Sequence, residues 1–176
     1  MKIPTMAMLT FLLLIASEAV AATDAWHRYM STAVEASQRR NYTKAETLLS
    51  LAVKEADKSK NKVWTVITLN QLGLLYQDQD EYEKAALFFK RALALSEQAL
   101  GPSHPQVAEC LIHCAAISRT KGQKDQAAAF NRRAGLCLDR CAAIERSKGH
   151  KEEASKLELR AEELRRHQAL LEKRAS

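Results

Sequence analysis

Chain breakers are scarce in this sequence, which has three prolines and five glycines in 176 residues. Stretches of alternating β-branched residues bounded by turn signals, the mark of strands, are equally hard to find. Long disordered linkers and a sheet-based fold are therefore not expected. Catalytic signatures are missing too: there is no Gly-x-Ser-x-Gly, no glycine-rich phosphate loop and no His-Glu-x-x-His. The five histidines, His27, His104, His113, His150 and His167, are scattered. The sequence thus predicts a protein that is not an enzyme and needs no cofactor. Unbroken Lys/Arg blocks interleaved with aromatics, which a nucleic-acid surface favours, are also lacking, so no nucleic-acid partner is expected.

Long apolar runs are absent. The longest, Met6 to Ala16, is eleven residues, too short to cross a bilayer comfortably. Lys2 precedes it, and Ala19-Val20-Ala21 offers the small residues read by a signal peptidase. Residues 1–21 are therefore predicted to be a cleaved secretory signal. The expected product is an exported chain, periplasmic or secreted, with no stable membrane insertion.

What remains is rich in Ala, Leu, Glu, Lys, Arg and Gln, strong helix formers, and the composition is 47% hydrophobic and 27% charged. The formal charge of +6 is unevenly placed. Residues 1–118 balance 12 basic against 12 acidic side chains, whereas residues 119–176 carry 15 against 9. In that last third the two signs interleave, as on a solvated helix with i,i+4 pairs.

Internal self-similarity is the most informative feature. Asn70 to Tyr76 reads as a first helix, Gln77 to Glu81 as a polar turn, and Tyr82 to Leu93 as a second helix. Gly73, Ala85 and Ala92 allow close approach, while Leu72, Tyr76, Tyr82 and Phe89 fill the space around the contact. Forty residues earlier, Ala33, Tyr42, Ala45, Leu49 and Ala52 repeat the pattern. Forty-two residues later, Ala115, Gly122, Ala127, Phe130 and Ala134 continue it, with Asn131 standing where Phe89 would be.

Leu72, Gly73, Tyr76, Ala85, Phe89 and Ala92 match the signature of tetratricopeptide repeats, which the chain resembles from about residue 25 to 138. The joint Leu100-Gly101-Pro102-Ser103-His104-Pro105 is similar to the segment between kinesin light chain-type repeats. Its chemistry suits a joint: Gly101 can end a helix in a left-handed conformation, and Pro105 suits a first helical turn. The resemblance implies an all-α solenoid of about three helical hairpins, spanning residues 22–138. Beyond it the joint is missing. One helix is predicted from about Asp125 to Lys148, a turn at Gly149-His150, and a last helix from about Lys151 to Glu172. Residues 139–176 are thereby read as a C-terminal helical extension that caps the stack with a polar face.

In such a solenoid the first helices line a concave face that holds a protein or peptide. By position that face takes His27, Met30, Val34 and Ser37 from repeat one and Ile67, Asn70, Leu74 and Gln77 from repeat two. Repeat three supplies Glu109, Ile112, Ala116 and Arg119. Asn70 matches a family asparagine that contacts peptide backbone, and Ile112 departs from it. Self-association is one way to lengthen so short a groove.

Four cysteines form two Cys-x3-Cys pairs, Cys110 with Cys114 and Cys137 with Cys141, each one helical turn apart. In an exported protein they suggest disulfides, Cys110–Cys141 and Cys114–Cys137 sharing one antiparallel register. That register differs from the repeat's own by nine residues, roughly 13 Å along the axis, more than a disulfide spans. A Cys110–Cys137 bridge, free thiols, or a soft-metal site for copper(I) or zinc therefore stand beside it. His113 is expected on the helix surface.

Overall fold

The computed structural model describes residues 23–173, and every regular element among them is an α-helix. The helices are α1 (residues 23–38), α2 (Tyr42–Lys58), α3 (Lys62–Gln77), α4 (Tyr82–Leu100), α5 (Pro105–Thr120), α6 (Lys124–Ser147) and α7 (Lys151–Lys173). The expected signal, residues 1–21, lies outside the described residues. The two C-terminal helices fall within a residue of their predicted bounds.

Five of the six connections are made in one way. A helix leaves its last carbonyls without partners, and a residue of positive φ turns the chain back to satisfy them. That residue is Arg40, Lys60, Asp80, Gly122 or Gly149, with φ between 55° and 88°. After α5, for example, the Gly122 amide donates to Arg119 O at 2.9 Å and the Gln123 amide to Ser118 O at 2.8 Å. Asn41 and Asn61 follow two of these turns directly, and their Oδ1 atoms accept from Lys44 N and Trp64 N, both at 3.2 Å. One residue thus closes one helix and caps the next.

The sixth connection is the Gly-Pro-Ser-His-Pro joint. Gly101 has the expected positive φ of 84°, but its ψ of 162° makes the chain extended and not left-handed helical. Only glycine adopts this conformation readily. His104 Nδ1 then accepts from Gln106 N at 3.2 Å, and Pro105 opens α5, where its missing amide costs nothing.

The chain forms two compact units that divide within α3, after Thr68. The predicted boundary at residue 138 falls inside the unbroken α6. In the first unit, Trp26 of α1 stacks on Trp64 of α3 with centroids 4.9 Å apart, and its Nε1 donates to Thr68 Oγ1 at 3.1 Å. From α2, Ala45, Leu49, Ala52 and Ala56 are buried at helical spacing.

In the second unit, Gly73 of α3 receives the ring of Phe89 from α4, which is fully buried. A methyl at Gly73 would stand 2.7 Å from two of the ring carbons. The imidazole of His113 on α5 also stacks on Phe89, centroids 4.8 Å apart and 11° from parallel. Further along, Ala134 of α6 and Ala154 and Ala161 of α7 are fully buried, which lets these helices approach closely. Arg146–Glu158 and Asp139–Arg165 ion pairs, both 2.8 Å, set α7 antiparallel to α6. A further pair, Arg160 with Glu109, ties α7 to α5. The helix α7 buries only a narrow stripe, Ala154, Leu157 and Ala161, and the rest of its surface is mostly charged, with Leu159 and Leu170 also exposed.

Gly73→Ala is expected to lower the folding free energy by about 1–3 kcal/mol, since the buried ring has no flexible end to give way. A urea midpoint measured at constant slope reads this directly, and an unchanged midpoint contradicts the close approach.

Candidate functional site: the first-helix face and the buried thiols

The residues assigned to the concave face fare differently. In the first unit His27 is exposed, its Nδ1 2.7 Å from Thr23 O, whereas Met30 is buried with its sulfur 3.6 Å from Thr68 Oγ1. Met30 is therefore a packing residue between α1 and α3 and does not present a free side chain. Ile67 is half-buried. In the second unit Leu74, Gln77, Ile112 and Ala116 are half-buried and Arg119 is exposed.

Asn70 departs from the expectation most. It is only 6% exposed, its Nδ2 lies 3.4 Å from Cys110 Sγ, and Cys110 is placed to donate to its Oδ1 at 3.6 Å. Its amide is spent on joining α3 to α5 and is not offered to a peptide backbone. Glu109 is likewise engaged by Arg160 of α7. His113, expected at the surface, is half-buried on Phe89, and burial pushes its pKa below the ordinary value.

All four cysteines are buried free thiols. The two disulfides of the shared register do not form, because α5 and α6 keep the register of the repeat. Cys141 Sγ donates to Ser103 O at 3.0 Å and Cys137 Sγ to His104 O at 3.5 Å. Two thiols of α6 are thus hydrogen-bonded to the joint before α5, while Cys110 faces Asn70 and Ser96. A Cys110–Cys137 bridge is not formed either. Among the described residues no three His, Cys, Asp or Glu side chains converge on a position that could hold a metal ion. Burial raises every thiol above its usual range and carries Cys114 and Cys141 to about 12. These are poor nucleophiles and reluctant metal ligands, since both roles need the thiolate.

One feature of the second unit was not anticipated. A recess of about 600 Å³ opens between the end of α5, the start of α6 and the end of α7. Arg119 is the one predicted face residue that borders it. Asn131, noted in the sequence as an odd replacement for a phenylalanine, lies in its wall. No helix among the described residues is long and apolar enough to cross a membrane.

Comparison with known proteins agrees with this architecture. The tetratricopeptide repeat family profile matches residues 65–106, which span most of α3, all of α4 and the joint. Among solved structures the chain is similar to BtubC (BKLC) of P. vanneervenii, at 16% identity and a TM-score of 0.56 over 81% of this chain. It is also similar to a Podosopora anserina kinesin light chain protein with nearly identical TPR-like repeats. There the identity is 16% and the TM-score 0.54, over 77% of this chain and 72% of that one. At such identities the likeness is one of fold: an α-solenoid of tetratricopeptide-like hairpins. The chain spans 63% of the length of BtubC. No curated protein matches the sequence.

The thiols set a pH dependence. Below about pH 9 folded and unfolded chains both hold these protons, and the cysteines leave stability unchanged with pH. Between pH 9 and 12 the unfolded chain releases protons that the folded chain keeps, so stability falls as pH rises. Thermal midpoints from pH 8 to 11 should drop less steeply in Cys114→Ala than in the parent. Equal slopes contradict the burial argument.

Proposed function

We propose that this protein is an exported adaptor or scaffold that holds a peptide segment of another protein against the first-helix face of its solenoid. The observation that carries the reading is the state of that face in the second unit. Leu74, Gln77, Ile112 and Ala116 are half-buried, neither locked in the core nor fully solvated, and Arg119 ends the row. Apolar side chains left partly open at helical spacing suit the apolar anchors of an extended or helical ligand. The polar Gln77 and Arg119 suit its backbone or charged groups.

Several features support a binding role in place of catalysis. The buried thiols are held protonated by burial, and His113 is stacked on a core ring. The tetratricopeptide profile match and the fold likeness support the same class. Export rests on the signal-like residues 1–21, and periplasmic or extracellular residence follows from it. Self-association serves here as a means of extending a short face.

Purified protein probed on an array of short peptides tests the reading. Replacing half-open apolar residues by carboxylates, in Leu74→Glu and Ile112→Glu, should reduce binding of the selected peptides at least tenfold while the helical signal by circular dichroism is retained. An unchanged peptide profile in both variants removes the face from consideration. Cell fractionation tests export: the chain should leave the cytoplasm and lose its first 21 or so residues.

A further inference from the structure

The recess at the α6–α7 end has a cause that can be read from the repeat itself. The 42-residue offset that places Ala115 on Gly73 also places Ser118, Lys124 and Asn131 on Tyr76, Tyr82 and Phe89. Where repeat two carries three rings, repeat three carries a hydroxyl, an ammonium and an amide. Lys124 and Asn131 both border the recess. Of the three rings Phe89 is the fully buried one, and its place is taken at the recess by the smaller, polar Asn131.

The lining is a built one. Ala127, Ala128 and Leu171 supply apolar surface. Asn131, 7% exposed, donates Nδ2 to Gln168 Oε1 at 2.9 Å, and Gln168 Nε2 donates on to Glu172 Oε1 at 2.9 Å. This relay fixes the Asn131 amide and holds the Glu172 carboxylate back along its own helix, α7. The carbonyl oxygen of Asn131 has no protein partner among the described residues.

Charge supplies the direction. Arg119, Lys124 and Arg132 border the recess, and none forms an ion pair among the described residues. Of the two carboxylates there, Glu172 accepts from Gln168, and Asp125 lies in the first turn of α6, where the helix dipole already stabilises it. Three unpaired cations thus face two carboxylates that already have favourable surroundings. Elsewhere in this unit some exposed arginines find partners, as Arg133 does with Glu97 and Arg146 with Glu158, while Arg91 and Arg140 form no ion pair among the described residues. Arg119 also ends the α5 row of Ile112 and Ala116, so the recess continues the face to which the adaptor function is assigned.

We propose that this recess is a specificity pocket for an acidic side chain of the bound peptide. An aspartate or glutamate within the peptide enters between Arg119, Lys124 and Arg132, and a small apolar neighbour rests on Ala127, Ala128 and Leu171. The Asn131 carbonyl accepts a backbone amide of the same segment. Guanidinium–carboxylate hydrogen bonds are directional and charge-assisted, and they discriminate a carboxylate from its neutral amide. The pocket rests on the adaptor reading, since it selects among peptides that the α5 face already holds.

The test separates the two ideas. Full-length chain is titrated against an array of heptapeptides capped at both ends, each made as a Glu and a Gln version. A third set pairs the Gln version with a free C-terminal carboxylate. The Glu peptides should bind at least fivefold more tightly than their Gln partners, and the preference should shrink in high salt. Arg119→Gln with Arg132→Gln, both at exposed positions, should erase it, and so should Asn131→Phe, which restores a ring to the recess. Circular dichroism of the arginine variant checks that the fold is kept. Equal affinity for Glu and Gln peptides overturns the pocket. So does a preference that survives both variants, or one shown only by the free C-terminus. If peptides still bind without this preference and Leu74→Glu abolishes that binding, the adaptor reading stands and the pocket alone falls. If no peptide binds the parent protein, both fall.

Discussion

Three helices of the second unit meet at a single ring. Phe89 reaches from α4 into the space that Gly73 leaves on α3, and the imidazole of His113 on α5 stacks against it. A side chain at Gly73 would displace the ring, and a displaced ring would no longer support His113. Absence of a side chain at one position therefore governs the seating of the next two helices. The surrounding small residues, Ala85 and Ala92 on α4 and Ala115 on α5, are buried for the same steric reason.

The same offset in repeat three shows what happens when the ring is withdrawn. Ala115 stands in the place of Gly73, but Asn131 offers an amide in place of Phe89, and the helices there are joined by polar contacts. Packing specificity passes from a ring in a steric slot to hydrogen bonds and ion pairs: Asn131 with Gln168, Asp139 with Arg165, Glu109 with Arg160. Exposed ion pairs contribute little each. The alanine seam at Ala134, Ala154 and Ala161 therefore carries much of the attachment of α7.

Helix positions were legible in the sequence because periodicity, Gly122, Gly149 and the Gly-Pro-Ser-His-Pro joint are local signals. The turns at Arg40, Lys60 and Asp80 were not marked by glycine, and their positive φ comes from the hydrogen bonding of two adjoining helices. The face was legible only in outline. Spacing along one helix puts Leu74, Ile112 and Arg119 in one row, and the first two are half-buried and the third exposed, but it does not say which neighbour claims a polar group. Asn70 was taken by Cys110, Glu109 by Arg160, and Met30 by Thr68, each through a partner distant in sequence. The cysteine spacing left disulfides, free thiols and a metal site open, and the structure holds all four as buried free thiols, with Cys137 and Cys141 bonded to the joint before α5. The recess had a visible signal in the exchange of Tyr76, Tyr82 and Phe89 for Ser118, Lys124 and Asn131. Asn131 alone was noticed, and one replacement does not reveal an opening.

The main helix contacts of the second unit join elements adjacent along the chain: α4 with α5, α5 with α6, α6 with α7. Such a topology has low contact order, so little loop entropy is lost before contacts form, and folding is correspondingly fast. It also makes cooperativity a nearest-neighbour property. Fluctuations that lift α7 break its Arg160–Glu109 pair with α5 but need not disturb Phe89 on α4, three helices earlier, so the α7 end can breathe on its own timescale. Anything lodged between α6 and α7 would then report its presence as slowed amide exchange at that end alone.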